Sequence, residues 1–180
     1  DITAFWSAIK AGRCGIKVYT GNESWNLPVK VAGTVEDFDP AGAGIPPKDV
    51  RRNDRFCLFA QAAAFQAMGE SGLEVGVNIE PERLGVYLGT GIGGMNTFIE
   101  QTKVMLEEGG GRVSPLFIPK MISNIAAGNI AIRYGAEGAN LTTAAACASS
   151  TQSVGEAFRA VKAGYADAII AGGTEAVLNP

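Results

Sequence analysis

The sequence has 180 residues, 47 % hydrophobic and 18 % charged, a composition that supports a packed core and excludes a disordered chain. Against 18 acidic residues stand 15 basic ones, and the net charge of −3 has the wrong sign for a nucleic-acid binder. There is no histidine, so these residues cannot build a Ser-His-Asp triad, a Cys-His pair or a histidine-ligated metal site.

Asp1 to Ala11 reads as a helix with Phe5, Trp6 and Ile9 on one side and Gly12 at its end. Val29 to Phe38 reads as a strand, followed by a loop rich in proline and glycine. The spacing then predicts one long helix from Lys48 to Met68, with Phe56, Phe59, Ala60, Ala63 and Ala67 buried and Gly69 as cap. Leu84 to Leu88 is a short apolar strand. From Gly93 a helix carries Met95, Phe98, Ile99, Thr102 and Leu106 on one face, and Glu108 to Arg112 breaks it. Pro119 fits the first position of the next helix, with Ile122, Ile125, Ala126 and Ile130 inward and Gly135 as terminator. Leu141 to Ala145 is a strand and Ala148 to Ala163 a helix with a stripe of Val154, Ala157, Phe158 and Val161. Ala168 to Ala171 is a buried strand. The alternation implies an α/β domain, with helices covering a mostly parallel sheet. Glycine, at 24 residues, is about twice as frequent as the ordinary ~7 %, which suits tight turns at sheet ends.

No apolar run approaches the ~20 residues that span a bilayer. The three cysteines, 14, 57 and 147, are odd in number and far apart, which points to free thiols in a reducing, cytoplasmic compartment. The chain opens at Asp1 in mid-pattern, so it is expected to be a piece of a longer protein.

Three clusters carry chemistry. Gly89-Thr90-Gly91-Ile92-Gly93-Gly94 follows a strand and opens a helix, as a dinucleotide fingerprint does. The acidic residue that should end the next strand is missing, because Glu107 and Glu108 end a helix. A tight turn that lets backbone or ligand approach closely fits better. Cys147 falls at a strand-to-helix joint among small residues, where helix-terminal N–H groups favour thiolate and a sharp turn presents the sulfur outward. A small buried hydrophobe fits the same position. Cys57, inside an amphipathic helix, and Cys14, after a helix end, read as structural. Lys48, Arg51 and Arg52 surround a helix start, where cations oppose the dipole; they form either a docking site for an acidic partner or a solvated face.

Several segments, taken in order, resemble the β-ketoacyl synthases, the condensing enzymes of fatty-acid and polyketide synthesis. They are Ala32-Gly33-Thr34-Val35-Glu36-Asp37-Phe38-Asp39-Pro40; Arg51-Arg52-Asn53-Asp54-Arg55-Phe56, with Asn53 where Met is usual; the Gly89 to Gly94 turn; Ser114-Pro115-Leu116-Phe117-Ile118-Pro119; Ala146-Cys147-Ala148-Ser149-Ser150; and Gly172-Gly173-Thr174-Glu175-Ala176. The resemblance implies the N-terminal half of a thiolase-like fold of α-β-α-β-α layers. The family's first strand would be absent before Asp1. The second half, which carries two catalytic histidines and a lysine, would be absent altogether.

The resemblance further implies that Cys147 takes an acyl chain from acyl carrier protein as a thioester. Malonyl-carrier protein would then lose CO2 and attack that thioester to give a 3-oxoacyl product, with no cofactor or metal. Ile92 and Phe117 match acyl-pocket positions, Phe117 reaching across a homodimer whose strands pair before Cys147. Lys48, Arg51 and Arg52 match the carrier-protein docking patch, which tips that cluster towards docking. Nucleic acid and membrane are not among the implied partners. A non-catalytic partner resembling a chain-length factor, or a polyketide ketosynthase subunit, is the alternative; retention of Cys147 speaks against the first.

Overall fold

A computed structural model describes residues 2–19 and 28–179, in two units each taken by itself: residues 1–39 with 178–180, and residues 40–177. In the first, α1 (Ile2–Lys10) ends as the sequence predicts, while Asp1 lies outside the described residues. Strands β1 (Ile16–Val18) and β2 (Val31–Gly33) form an antiparallel ladder with Ile16 opposite Gly33. The predicted strand from Val29 to Phe38 is thus shortened, because β1 offers three residues to pair with. Beyond it Thr34 Oγ1 and Lys17 Nζ both donate to the Glu36 carboxylate.

The second unit holds α2 (Pro47–Arg52), α3 (Arg55–Ser71), β3 (Leu84–Gly89), α4 (Met95–Glu108), α5 (Phe117–Met121), α6 (Ile125–Tyr134), β4 (Asn140–Thr143), α7 (Ser149–Lys162) and β5 (Ala168–Gly173). The strands form a parallel sheet in the order β4-β3-β5. Central β3 is buried along its whole length, and its side chains alternate between faces. Val86 and Leu88 pack against Phe56, Cys57, Ala60 and Ala64 of α3 and Ala126, Ala127 and Ile130 of α6. On the opposite face Tyr87 meets Ala157 and Ala160 of α7.

The single helix expected from Lys48 to Met68 is two helices. Asn53 is extended (φ −122°, ψ 147°), and Asp54 caps α3 by accepting from the Phe56 N–H. The buried Asp54 carboxylate also accepts from the Thr97 N–H (2.8 Å) and Oγ1 (2.7 Å) in the first turn of α4, tying the two helices together. Burial in α3 falls on Phe56, Cys57, Leu58, Ala60, Gln61, Ala62, Ala64 and Met68, with Phe59 half-buried and Ala63 and Ala67 outside; Gly72, not Gly69, supplies the left-handed cap (φ 67°). Asp54→Ala removes the cap and orphans two buried donors, so it should lower unfolding stability by about 2 kcal/mol, read by urea denaturation. Asp54→Asn should recover part of that loss.

Pro119 lies within α5 and does not begin a long helix. The Met121 carbonyl accepts from the Gly94 N–H (3.0 Å) and Ile122 is extended, so the chain breaks before α6. Gly135 ends α6 as expected, in the left-handed region. In α4 only Thr97 is buried, and the stripe of Phe98, Ile99 and Leu106 faces outward. Helix α7 is likewise turned: it buries Ser149, Ser153, Ala157 and Ala160, and exposes Val154, Phe158 and Val161. Its small residues let the helix approach a sheet surface where β3 and β5 carry glycine. β5, an edge strand of the described sheet, is only half-buried.

Candidate active site

The site begins with how closely α7 meets the strand ends. Gly89 and Gly173 are neighbours across the β3–β5 ladder. A Cβ on Gly89 would stand 2.3 Å from the backbone carbonyl of Ser149, and one on Gly173 would stand 2.5 Å from the Ser150 Cβ. Only bare backbone at both positions lets the first turn of α7 rest on the sheet.

That seat forces a sharp corner between β4 and α7. Ala146 has φ 47°, the only positive φ of a non-glycine residue among the described residues, and such a conformation costs roughly 1–2 kcal/mol. The Ser149 hydroxyl holds the corner, accepting from the Ala145 N–H (2.8 Å) and donating to the Ala146 carbonyl (2.7 Å). Thr143 Oγ1 donates to the Ser149 carbonyl (2.9 Å) and shares a hydrogen bond with Ser153. Cys147 follows the strained residue in a single 3-10 turn, Ala146–Ala148, and is exposed. It lines an open cleft of about 580 Å³ together with Thr90, Ile92, Ala146, Ser150 and Glu175.

The other thiols differ. Cys57 is buried, donates to Asn53 Oδ1 (3.2 Å) and accepts from Gln61 and Asn129. Burial pushes its pKa up, opposed by the hydrogen bonds from Asn129 and Gln61, so it is held as a thiol. Cys14 is exposed beside the Ile16 carbonyl.

Ile92 is placed between two hollows. It lines the Cys147 cleft and also an apolar hollow of about 330 Å³ with Met95, Phe98, Met121 and Ile122. Phe117 is not part of either lining; its ring packs on Phe98 at 6.2 Å between centroids. Lys48, Arg51 and Arg52 are all exposed, and none of the three forms an ion pair among the described residues. Their setting corrects one expectation. Arg51 and Arg52 occupy the last turn of α2, where cations complement the helix dipole, so the dipole does not argue against a stabilising role.

Sequence reasoning passed over Glu175 and Ser149 as individual residues. Oε2 of Glu175 accepts from the Gly91 N–H (2.6 Å) and the Ile92 N–H (3.2 Å), and Oε1 from Thr90 Oγ1 (3.1 Å). Both residues lie inside segments already singled out, but only contacts across the fold show what they hold. Among the described residues no cluster of three His, Cys, Asp or Glu could bind a metal, and no helix is long and apolar enough to cross a membrane.

A family model described as the N-terminal domain of β-ketoacyl synthase matches residues 1–180. The chain belongs to the β-ketoacyl synthase family. It is 40 % identical over 176 residues to the 3-oxoacyl-[acyl-carrier-protein] synthase 2 of Synechocystis, covering 98 % of this chain and 42 % of the relative. The Coxiella burnetii protein of the same name is 38 % identical over 179 residues, covering 99 % and 43 %. The chain therefore spans a little over two fifths of the length of these relatives. Among solved structures, a β-ketoacyl synthase from Burkholderia phymatum is similar with a TM-score of 0.77 at 25 % identity, over 92 % of this chain and 41 % of that one. A type II polyketide ketosynthase complex with its acyl-carrier protein gives 0.73 at 25 %, over 82 % and 42 %. The ishigamide ketosynthase/chain length factor shares the fold, with a TM-score of 0.79 at 24 % identity over 95 % of this chain and 42 % of that one. The α/β fold is that of the thiolase-like ketosynthases.

Proposed function

We propose that this chain is the N-terminal, nucleophile-bearing half of a 3-oxoacyl-[acyl-carrier-protein] synthase that extends acyl chains by decarboxylative condensation in fatty-acid synthesis. The observation that carries the reading is Cys147: an exposed thiol beside a strained corner, just ahead of α7, opening into a cleft between strand ends. An acyl group passes from its carrier thioester to the Cys147 sulfur, releasing the carrier thiol. Decarboxylated malonyl-carrier protein then attacks the enzyme thioester and regenerates the thiol. The Cys147 N–H serves as one donor to the developing oxyanion. Ile92 and Phe117 border the acyl pocket, with Phe117 contributed across a homodimer.

With no histidine among 180 residues, proton handling for the decarboxylation belongs to the rest of the longer protein, and this chain alone should not condense. The coverage of the relatives supports this division, as do the apolar faces that α4 and α7 leave outward. β4 pairs with β3 alone among the described residues, which leaves an edge for a second copy of the protein. The cytoplasm suits its free thiols. The relatives named 3-oxoacyl-[acyl-carrier-protein] synthase 2, at 38 % and 40 % identity, favour fatty-acid service.

The test is to incubate the full-length protein with acyl-loaded carrier protein and map the acyl adduct by peptide mass spectrometry. An adduct on Cys147 is expected. An adduct on exposed Cys14 instead, or none, would overturn the reading.

Lys48, Arg51 and Arg52 form the docking patch for the acidic carrier protein. Replacing Arg51 and Arg52 together by Glu should weaken carrier binding about tenfold at low salt and flatten its salt dependence, as titration calorimetry would show. Unchanged affinity and salt slope would remove the patch from the docking site.

A further inference from the structure

The turn after β3 is bound by the segment after β5. Glu175 gathers Thr90 Oγ1 and the N–H groups of Gly91 and Ile92 onto one carboxylate, and Thr90 Oγ1 in turn accepts from the Gly93 N–H (3.1 Å). On either side of this clasp, the Thr174 N–H donates to the Gly89 carbonyl (2.9 Å) and Asn96 Nδ2 to the Ala176 carbonyl (2.8 Å). Two successive N–H groups aimed at one oxygen make an anion cradle, and here a side chain of the same protein fills it. Bonds to a carboxylate are stronger than those between neutral groups.

The turn also lies near the corner that carries Cys147: a Cβ on Gly91 would stand 2.8 Å from Glu175 Oε2 and 3.6 Å, ordinary contact distance, from the Ala146 Cα. Ile92, the next residue, is the wall shared by the cleft and the apolar hollow. Where Glu175 holds the Ile92 backbone therefore decides how far the Ile92 side chain reaches into each.

From this geometry we infer that Glu175 is a positioning residue that sets acyl-chain selectivity by fixing the Gly91–Ile92 turn at the mouth of the apolar hollow. The inference rests on the reading that Cys147 accepts the acyl group. Glu175 takes no part in bond making; its oxygens are engaged by the turn. Loss of the carboxylate frees two N–H groups and lets Ile92 swing, so discrimination between chain lengths should relax while the thiol itself stays in place.

Two measurements on the full-length protein test this. The first needs no activity: amide exchange of Gly91 and Ile92 in Glu175→Ala should rise about tenfold or more over wild type, the scale expected for losing a charge-assisted hydrogen bond. The second is acyl transfer to Cys147 from carrier proteins bearing short, medium and long saturated chains. Glu175→Ala should shift the ratio of kcat/KM between medium and long chains about tenfold, mainly through KM, and Glu175→Gln should restore most of it by keeping one acceptor oxygen. Ile92→Ala should show the same relaxed profile, with no further change when Glu175→Ala is added. Unchanged exchange at Gly91 and Ile92, or a wild-type chain profile in a folded Glu175→Ala protein, would overturn the role. Should Glu175→Ala fail to fold, Glu175→Gln and Glu175→Asp give the decision. Asp is one methylene too short to hold the turn, so it should relax the profile while Gln does not; equal profiles refute the inference. If wild type takes up no acyl group on Cys147, the reading of the function has failed, and the exchange measurement still judges the clasp.

Discussion

Cys147→Ala should leave the full-length protein folded and remove its acyl-enzyme intermediate, with condensation falling by at least about 10³-fold, the order lost when a catalytic nucleophile is deleted. The side chain is exposed, so its truncation should move stability by no more than about 0.5 kcal/mol. The corner is held without it, by the Ser149 hydroxyl between the Ala145 N–H and the Ala146 carbonyl. Activity and stability should therefore separate cleanly, with the melting curve retained and the thioester adduct gone. A folded Cys147→Ala protein that still carries an acyl group, or condenses at an undiminished rate, would refute the assignment. Cys147→Ser should fall between, since a hydroxyl is a far weaker nucleophile than a thiolate at neutral pH.

Gly89→Ala should act in the opposite way, damaging fold and site together. The added methyl meets the Ser149 carbonyl carbon and oxygen at 2.3 Å, and backbone cannot rotate aside as a side chain can. Relief requires α7 to lift off β3, which takes Tyr87 away from Ala157 and Ala160 and moves Cys147 with the helix. Overpacking of this kind should cost about 3 kcal/mol in urea denaturation. Acyl transfer should also fall in the protein that remains folded. Gly172→Ala is the control: a Cβ there meets nothing within 4 Å, so stability should stay near wild type. A Gly89→Ala protein as stable as that control would show that the helix does not sit where the backbone contact requires.

Asn53-Asp54 shows where the helical period misled. The stripe from Phe56 to Ala67 carries no mark of a break at Asn53, yet Asp54 is drawn into hydrogen bonds with Thr97, which lies more than 40 residues further on. A periodic pattern registers apolar spacing and is blind to a carboxylate that a distant turn will claim. Helix α7 shows the complementary error. Its large residues, Val154, Phe158 and Val161, look like the inward face. The sheet beneath carries Gly89 and Gly173, where a Cβ would run into Ser149 and Ser150, so close approach favours the serine and alanine face instead. The motif pointed to Ile92 as a pocket residue, while its place between two hollows came only from the fold. Phe117, read in the same way, packs on Phe98 and lines neither hollow.

The sequence by itself determined the alternation of helices with the three parallel strands, the family, and the position of Cys147 at a strand-to-helix joint. These are written in local spacing and in motifs of adjacent residues, so they need no knowledge of what lies across the fold. The tertiary structure alone decided which face of each helix turns inward, that Ser149 holds the strained corner, and that Glu175 clasps the turn before Ile92. Each depends on hydrogen bonds and backbone approaches that close only after the chain has packed. The carboxylate of Glu175 and the N–H groups of Gly91 and Ile92 are more than 80 residues apart in sequence, and only the parallel pairing of β3 with β5 brings them together.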